Sequence, residues 1–246
     1  MLKKTAEIMG MPVTIVIAEE NVKEEDIIKA FTYLHHIDDV FSLYKKNSEM
    51  SKINRKEIHE EDISKEVKKV FNLAEKTKHQ TNGYFDITQQ NGKKDPSGIV
   101  KGYAIHQCAV LLKRKYKNFF IEIAGDIELV GLNNSAKWKV GIENPFNRKE
   151  IIKVLFLSNK GVATSGTYIR GLHIYNPVTQ KKADTIASVT VVGENAYEAD
   201  RFATAIFAMG ENGINFLEKQ KNLEGYIVKK NKSAIMTKGF EKYTHV

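Results

Sequence analysis

Only one cysteine, Cys108, occurs in 246 residues. That excludes an internal disulfide and a cysteine-rich metal site, and it fits a reducing compartment without requiring one. Prolines number four and tryptophans one. No flexible linker, repeat or low-complexity segment interrupts the chain, so 1–246 reads as a single domain with no clear internal boundary. No apolar run approaches the roughly 20 residues that span a bilayer, and the N-terminus lacks the apolar centre of a signal peptide. An integral membrane segment is not expected. As written the chain reads as cytoplasmic, or as exported or membrane-anchored if a leader has been removed.

What is present is a hydrophobic content of 42% and a formal charge of +8. The first is enough for a sizeable core. The second calls for an anionic partner, but the lysines are spread along the chain and no finger or RNP-like motif accompanies them. A phosphorylated small molecule satisfies the same charge balance, and nucleic acid is not expected.

Periodicity predicts strands over Pro12–Ala18, Phe119–Val130, Trp138–Ile142, Ile151–Leu157, Ile186–Val192, Gly225–Lys229 and Ala234–Lys238. Helices are predicted over Val22–Val40, from a Ser64 cap toward Asn82-Gly83, over about Lys101–Lys115, and over Ala196–Met209 and Gly213–Gln220. Strands and helices mix without strict alternation, which favours an α+β fold.

Two stretches carry candidate chemistry. Gly161–Pro177 gathers small residues, hydroxyls, Arg170 and His173 where a tight turn is expected. Asp200 and Thr204 follow, one helical turn apart on the edge of an apolar stripe (Ala199, Phe202, Ala203, Ile206) from which Arg201 points away. A carboxylate and a hydroxyl so placed suit Mg²⁺, which takes oxygen ligands. They equally suit a helix-dipole carboxylate and a threonine bonded to its own backbone. Asp95-Pro-Ser-Gly98 reads as a turn opening a helix, with Lys101 as a movable charge beside free N–H groups, or as an ordinary helix entry.

Lys101-Gly-Tyr-Ala104, Ala124-Gly-Asp126, Ala163-Thr-Ser-Gly-Thr-Tyr-Ile-Arg170, His173-Ile-Tyr-Asn-Pro177 and Ala199-Asp200 to Thr204, in this order, resemble the ApbE family of FAD:protein FMN transferases. Met9-Gly-Met, Phe41–Asn54 and Thr81–Thr88 extend the resemblance over nearly the whole chain. It implies a compact α+β fold with mixed sheets, flanking helices and an FAD site in a central cleft. It also implies Mg²⁺-dependent transfer of FMN from FAD to a threonine of an acceptor protein, typically a flavin subunit of a redox complex, with release of AMP. The metal would be held by Asp200, Thr204 and a carbonyl near Gly98. FAD would meet Tyr44, Asn54, Asp86, Lys101, Tyr103, Ala104, Thr164, Ser165, Gly166 and Arg170, with His173 as base and Asp200 in the catalytic centre. Asp126 either bonds turn N–H groups or faces the ligand.

Four positions depart from the family pattern. Ala124 replaces a glycine, Ile105-His106 an aspartate, Asn176 an aspartate, and Gln180 a glycine, and each removes a carboxylate or a glycine near the expected site. His106 reads as a ligand-facing replacement or as a surface residue. An FAD pyrophosphatase yielding FMN and AMP, or a non-catalytic FAD-binding protein, are the alternatives to a transferase.

Overall fold

The computed structural model describes residues 1–166 and 175–245. The expected roles of Arg170 and His173 fall outside them.

The chain begins with the hairpin of β1 (Leu2–Ile8) and β2 (Met11–Ile17), then α1 (Glu24–Phe41), the short α2 (Glu49–Asn54), α3 (Lys65–Gln80) and α4 (Ser97–Leu112). The hairpin of β3 (Phe119–Ile123) and β4 (Asp126–Val130) follows, then that of β5 (Trp138–Asn144) and β6 (Asn147–Leu157), and β7 (Lys160–Gly166). Beyond lie β8 (Tyr175–Asn176), β9 (Lys181–Lys182), β10 (Ile186–Gly193), α5 (Ala196–Met209), α6 (Gly213–Leu217), β11 (Glu224–Lys229) and β12 (Ala234–Met236).

Eight of these strands form one sheet, ordered β1-β2-β3-β4-β7-β10-β11-β12. Helices cover one face. Val13, Ile15, Ile17 and Ile121 of the sheet meet Ile27, Leu34 and Ile37 of α1 and Ile99, Ile105 and Cys108 of α4. Val189, Val191 and Ile227 meet Phe202, Ile206 and Phe207 of α5. The opposite face, through Val16, Leu129, Val162 and Val192, is covered by the β5–β6 hairpin and by Phe240 and Tyr243. Alternate side chains of each strand thus go to opposite layers. Each fully buried Ile, Leu or Phe contributes roughly 1.5–3 kcal/mol. The α+β class stands, but the sheets are not mixed: every ladder among the described residues is antiparallel.

The structure revises several expected elements. Phe119–Val130 is two strands, because Ala124 and Gly125 take φ of 48° and 90° and form a two-residue hairpin loop. Lys160–Gly166 is not a turn but a central strand between β4 and β10. Its small residues fit there because α5 lies directly over it: a side chain at Gly161 would sit 2.2 Å from the nitrogen of Ala196. The helix expected from about Lys101 begins at Ser97, where Asp95 Oδ1 accepts the Ser97 N–H at 3.0 Å. Ser64 caps α3 as expected, accepting the Val67 N–H at 3.3 Å. Arg201 does leave the Asp200 side of α5, yet it is only 3% exposed. It bonds Thr77, Gln80 and Glu198 and lies over the Phe202 ring, so α3 and α5 are joined through it.

Candidate active site

The site is built where α4 crosses α5. Gly98 and Gly102 lie one turn apart on α4, and Asp200 and Thr204 one turn apart on α5. A Cβ at Gly98 would stand 2.9 Å from Thr204 Cγ2 and 3.2 Å from its Oγ1. One at Gly102 would stand 2.5 Å from both Ala196 O and Asp200 Cβ. The missing side chains let the two backbones close, and oxygen groups fill the seam. Thr204 Oγ1 donates to Gly98 O at 3.3 Å, and Asp200 Oδ2 accepts the Gly102 N–H at 2.7 Å. The expected metal set, Gly98, Asp200 and Thr204, is therefore brought together, and Asp200, 4% exposed, is more deeply buried than the edge of a stripe implies.

A further carboxylate enters from the sheet. The β4–β7 ladder ends at Ile127 and Val162, and beyond it Asp126 Oδ1 accepts the Thr164 N–H at 3.1 Å. Its Oδ2 lies 2.7 Å from Lys101 Nζ, an ion pair without the alignment of a hydrogen bond. Asp126 is 1% exposed and reaches Asp200. Burial first, and then the Asp126 charge, push the Asp200 carboxyl up to about 8, against the opposing pull of Lys101 and of the Gly102 N–H. The N–H that Asp126 accepts is therefore not one of its own turn but that of Thr164 on β7, and its other oxygen is buried behind the cleft wall beside Lys101. The hairpin signal Ala-Gly-Asp marked it, but strand topology was needed to see that it meets Asp200.

These groups open on a cleft of about 300 Å³. Gly98, Lys101, Asp200 and Thr204 line it from the helices, Thr164, Ser165 and Gly166 from the end of β7, and Asp86 and Tyr44 from the loops. Asp86 is held by Lys78 at 2.8 Å and accepts the Thr88 N–H at 2.8 Å. Tyr44, 98% exposed, stands at the rim.

Three expected FAD-binding residues are placed elsewhere. Asn54 exchanges both amide bonds with the backbone of Lys94, at 2.9 and 2.8 Å, and so pins the 88–94 loop. Tyr103 is buried against α3, its hydroxyl 3.4 Å from Glu66 Oε1. Burial, reinforced by the Glu66 charge, pushes that phenol up to about 12. Ala104 is fully buried in the core. Tyr103 and Ala104 follow the cleft residue Lys101 on α4, but helical geometry turns their side chains away from the cleft.

The departures also find places. His106 is partly exposed and pairs with a buried carboxylate: its Nδ1 lies 3.0 Å from Oε2 of Glu128, which also accepts the Ala196 N–H at the start of α5 and pairs with Lys113. Asn176 Nδ2 donates to Ala208 O at 2.7 Å while its Oδ1 accepts the N–H groups of Val178 and Thr179. An aspartate could not make the first of these bonds.

An antiparallel sheet with helices on one face, and a cleft of mixed polar and apolar lining at a helix crossing, define the class: an α+β protein. The sequence profile described as the ApbE family matches residues 9–94 and 89–227, and the chain belongs to that family. It is 31% identical over 166 residues to the FAD:protein FMN transferase of Haemophilus influenzae, covering 61% of this chain and 48% of that protein. With the enzyme of the same name from Vibrio cholerae the identity is 32% over 129 residues, covering 48% and 39%. The chain thus spans about half the length of the curated relatives it matches, or less. Solved structures share the fold. The flavin transferase ApbE from Vibrio cholerae superposes with a TM-score of 0.86 at 20% identity, over 98% of both chains. The ApbE protein from Thermotoga maritima gives 0.87 at 21% identity, over 100% and 99%.

Proposed function

We propose that the chain transfers FMN from FAD to a threonine hydroxyl of an acceptor protein in a Mg²⁺-dependent reaction that releases AMP. The observation that carries this is the α4–α5 crossing, where glycines admit a buried carboxylate, a hydroxyl and a helix-entry carbonyl to one place beside a lysine. The curated relatives' name supports the same chemistry.

The donor set fits a hard cation, since all its groups are oxygens and two buried carboxylates lie together with one ammonium beside them. Gly98 O, Asp200 and Thr204 would hold the ion. Bound there, Mg²⁺ would supply charge neutralisation to the pyrophosphate. Lys101 offers a further positive charge on the cleft wall, and the end of β7, Thr164–Gly166, orients what lies against it. Tyr44 presents a ring at the rim for a flat heteroaromatic group. In the transfer, the threonine oxygen attacks the phosphorus on the FMN side and the bond from that phosphorus to the AMP oxygen breaks. The hydroxyl proton passes to a base, the role we assign to His173.

The test incubates the chain with FAD, Mg²⁺ and an acceptor carrying a threonine in an Asp-x-x-Thr-like motif. In-gel flavin fluorescence on the acceptor with stoichiometric AMP is the expected result. Free FMN and AMP would instead establish hydrolysis, and intact FAD would establish binding alone; either would overturn the transferase reading.

A further inference from the structure

Among the described residues, two buried carboxyl groups and one ammonium meet at the helix crossing. Asp126 and Asp200 are both nearly inaccessible and close enough for the Asp126 charge to raise the Asp200 carboxyl, and the Lys101 ammonium lies against Asp126. Asp126 Oδ1 is engaged by Thr164 N–H, whereas Oδ2 is buried without an aligned hydrogen bond. Lys101 therefore meets it as a point charge 2.7 Å away rather than as a fitted donor. Were both carboxylates ionised, the one ammonium beside them among the described residues would leave a negative charge uncompensated in a place that water does not reach, and burial beside Asp126 accordingly favours the protonated Asp200. The Lys101 stem is flexible, and the side chain keeps 20% of its surface exposed where it lines the cleft.

We propose that Lys101 stands in for a divalent cation, neutralising Asp126 until the ion binds between Asp126 and Asp200 and frees the ammonium toward the cleft. Asp126 is then a further residue of the cation site, beyond Gly98, Asp200 and Thr204. This rests on the metal-site part of the function proposed above. Its consequence is ordering: the ion's arrival delivers two positive groups to the cleft together, the ion itself and the released ammonium. Both then face the phosphates of an incoming pyrophosphate ligand, so cation and anion reinforce each other's binding.

The test uses Mn²⁺ alone, without FAD, on the full chain, with free Mn²⁺ followed by electron paramagnetic resonance. Lys101→Met removes the charge and keeps the stem, and should tighten Mn²⁺ binding by about tenfold. Lys101→Arg should stay near the wild type, and Asp126→Asn should weaken binding by about tenfold or more. Unchanged or weaker affinity in Lys101→Met overturns the proposal, as does unchanged affinity in Asp126→Asn. The wild-type chain supplies a measurement that no folding defect can cloud. Mg²⁺ should increase acylation of Lys101 by an amine-reactive reagent, read by peptide mass spectrometry, and unchanged or reduced labelling overturns the idea. Neither experiment measures flavin transfer, so its outcome is separate from that of the acceptor assay.

Discussion

Ala124 and Gln180 both hold positive φ, 48° and 56°, at positions where the family pattern has glycine. A Cβ in that region costs about 1–2 kcal/mol, partly offset by the greater freedom glycine has when unfolded. Ala124→Gly and Gln180→Gly should therefore each raise the melting temperature by about 2–4 °C, measured by calorimetry; lower values would show that these side chains make compensating contacts. The departure at Asn176 works the other way. Asn176→Asp replaces the donor to Ala208 O by a carboxylate, and should destabilise the chain by about 1–3 kcal/mol in urea, with FAD affinity unaffected if the residue is structural. Ala124 and Gln180 thus sit at positive-φ turn positions, and Asn176 anchors a loop to the end of α5. Spacing alone could not show this, because a turn residue and a ligand residue look the same until their partners are known.

At the scale of elements, the contact between α4 and α5 decides whether the site exists. Gly102→Ala would drive a methyl to 2.5 Å from Ala196 O and Asp200 Cβ, neither of which is a flexible side-chain end, so the helices must part. The expected loss is about 1–3 kcal/mol of stability, together with Mg²⁺-dependent activity; a variant with full activity would show that close approach is unnecessary. Legibility also varied by element. The bounds of α5 coincide with those its apolar periodicity predicts, since a helix with one buried stripe repeats every three to four residues. β1 gives no strand signal, because its alternation, Lys3, Thr5 and Glu7 against Leu2, Lys4, Ala6 and Ile8, is that of a half-exposed edge strand with little apolar contrast. The β7 sequence Gly-Val-Ala-Thr-Ser-Gly lacks bulk and so reads as a turn, whereas the need for small residues under a helix is a tertiary fact. The site's helical half was therefore readable from i, i+4 spacing. Asp126, delivered by strand pairing, was not.

Over the whole molecule, long-range ion pairs bind helices to the segments after them, and they give stability a pH dependence. Asp26, in the first turn of α1, is buried and bonded by Lys115 and Tyr116 at 2.6 and 2.9 Å. The Lys115 hydrogen bond holds its carboxyl below the usual range. A carboxylate with a depressed folded-state value stabilises fully above about pH 4 and loses that contribution as pH falls through the folded value. Asp26→Asn should lower the urea midpoint at pH 7 and by progressively less as pH falls below about 4; an effect that does not change with pH would show the charge to be irrelevant. The larger claim is that one helix crossing in this antiparallel α+β fold is a cation-dependent phosphoryl-transfer centre. The most direct measurement is AMP release from FAD, in the presence of the acceptor, by wild type and Asp200→Ala across a Mg²⁺ titration. The account predicts saturable Mg²⁺-dependent release by the wild type, abolished by EDTA, and none above background in the folded variant. Undiminished, Mg²⁺-dependent release by Asp200→Ala would contradict it.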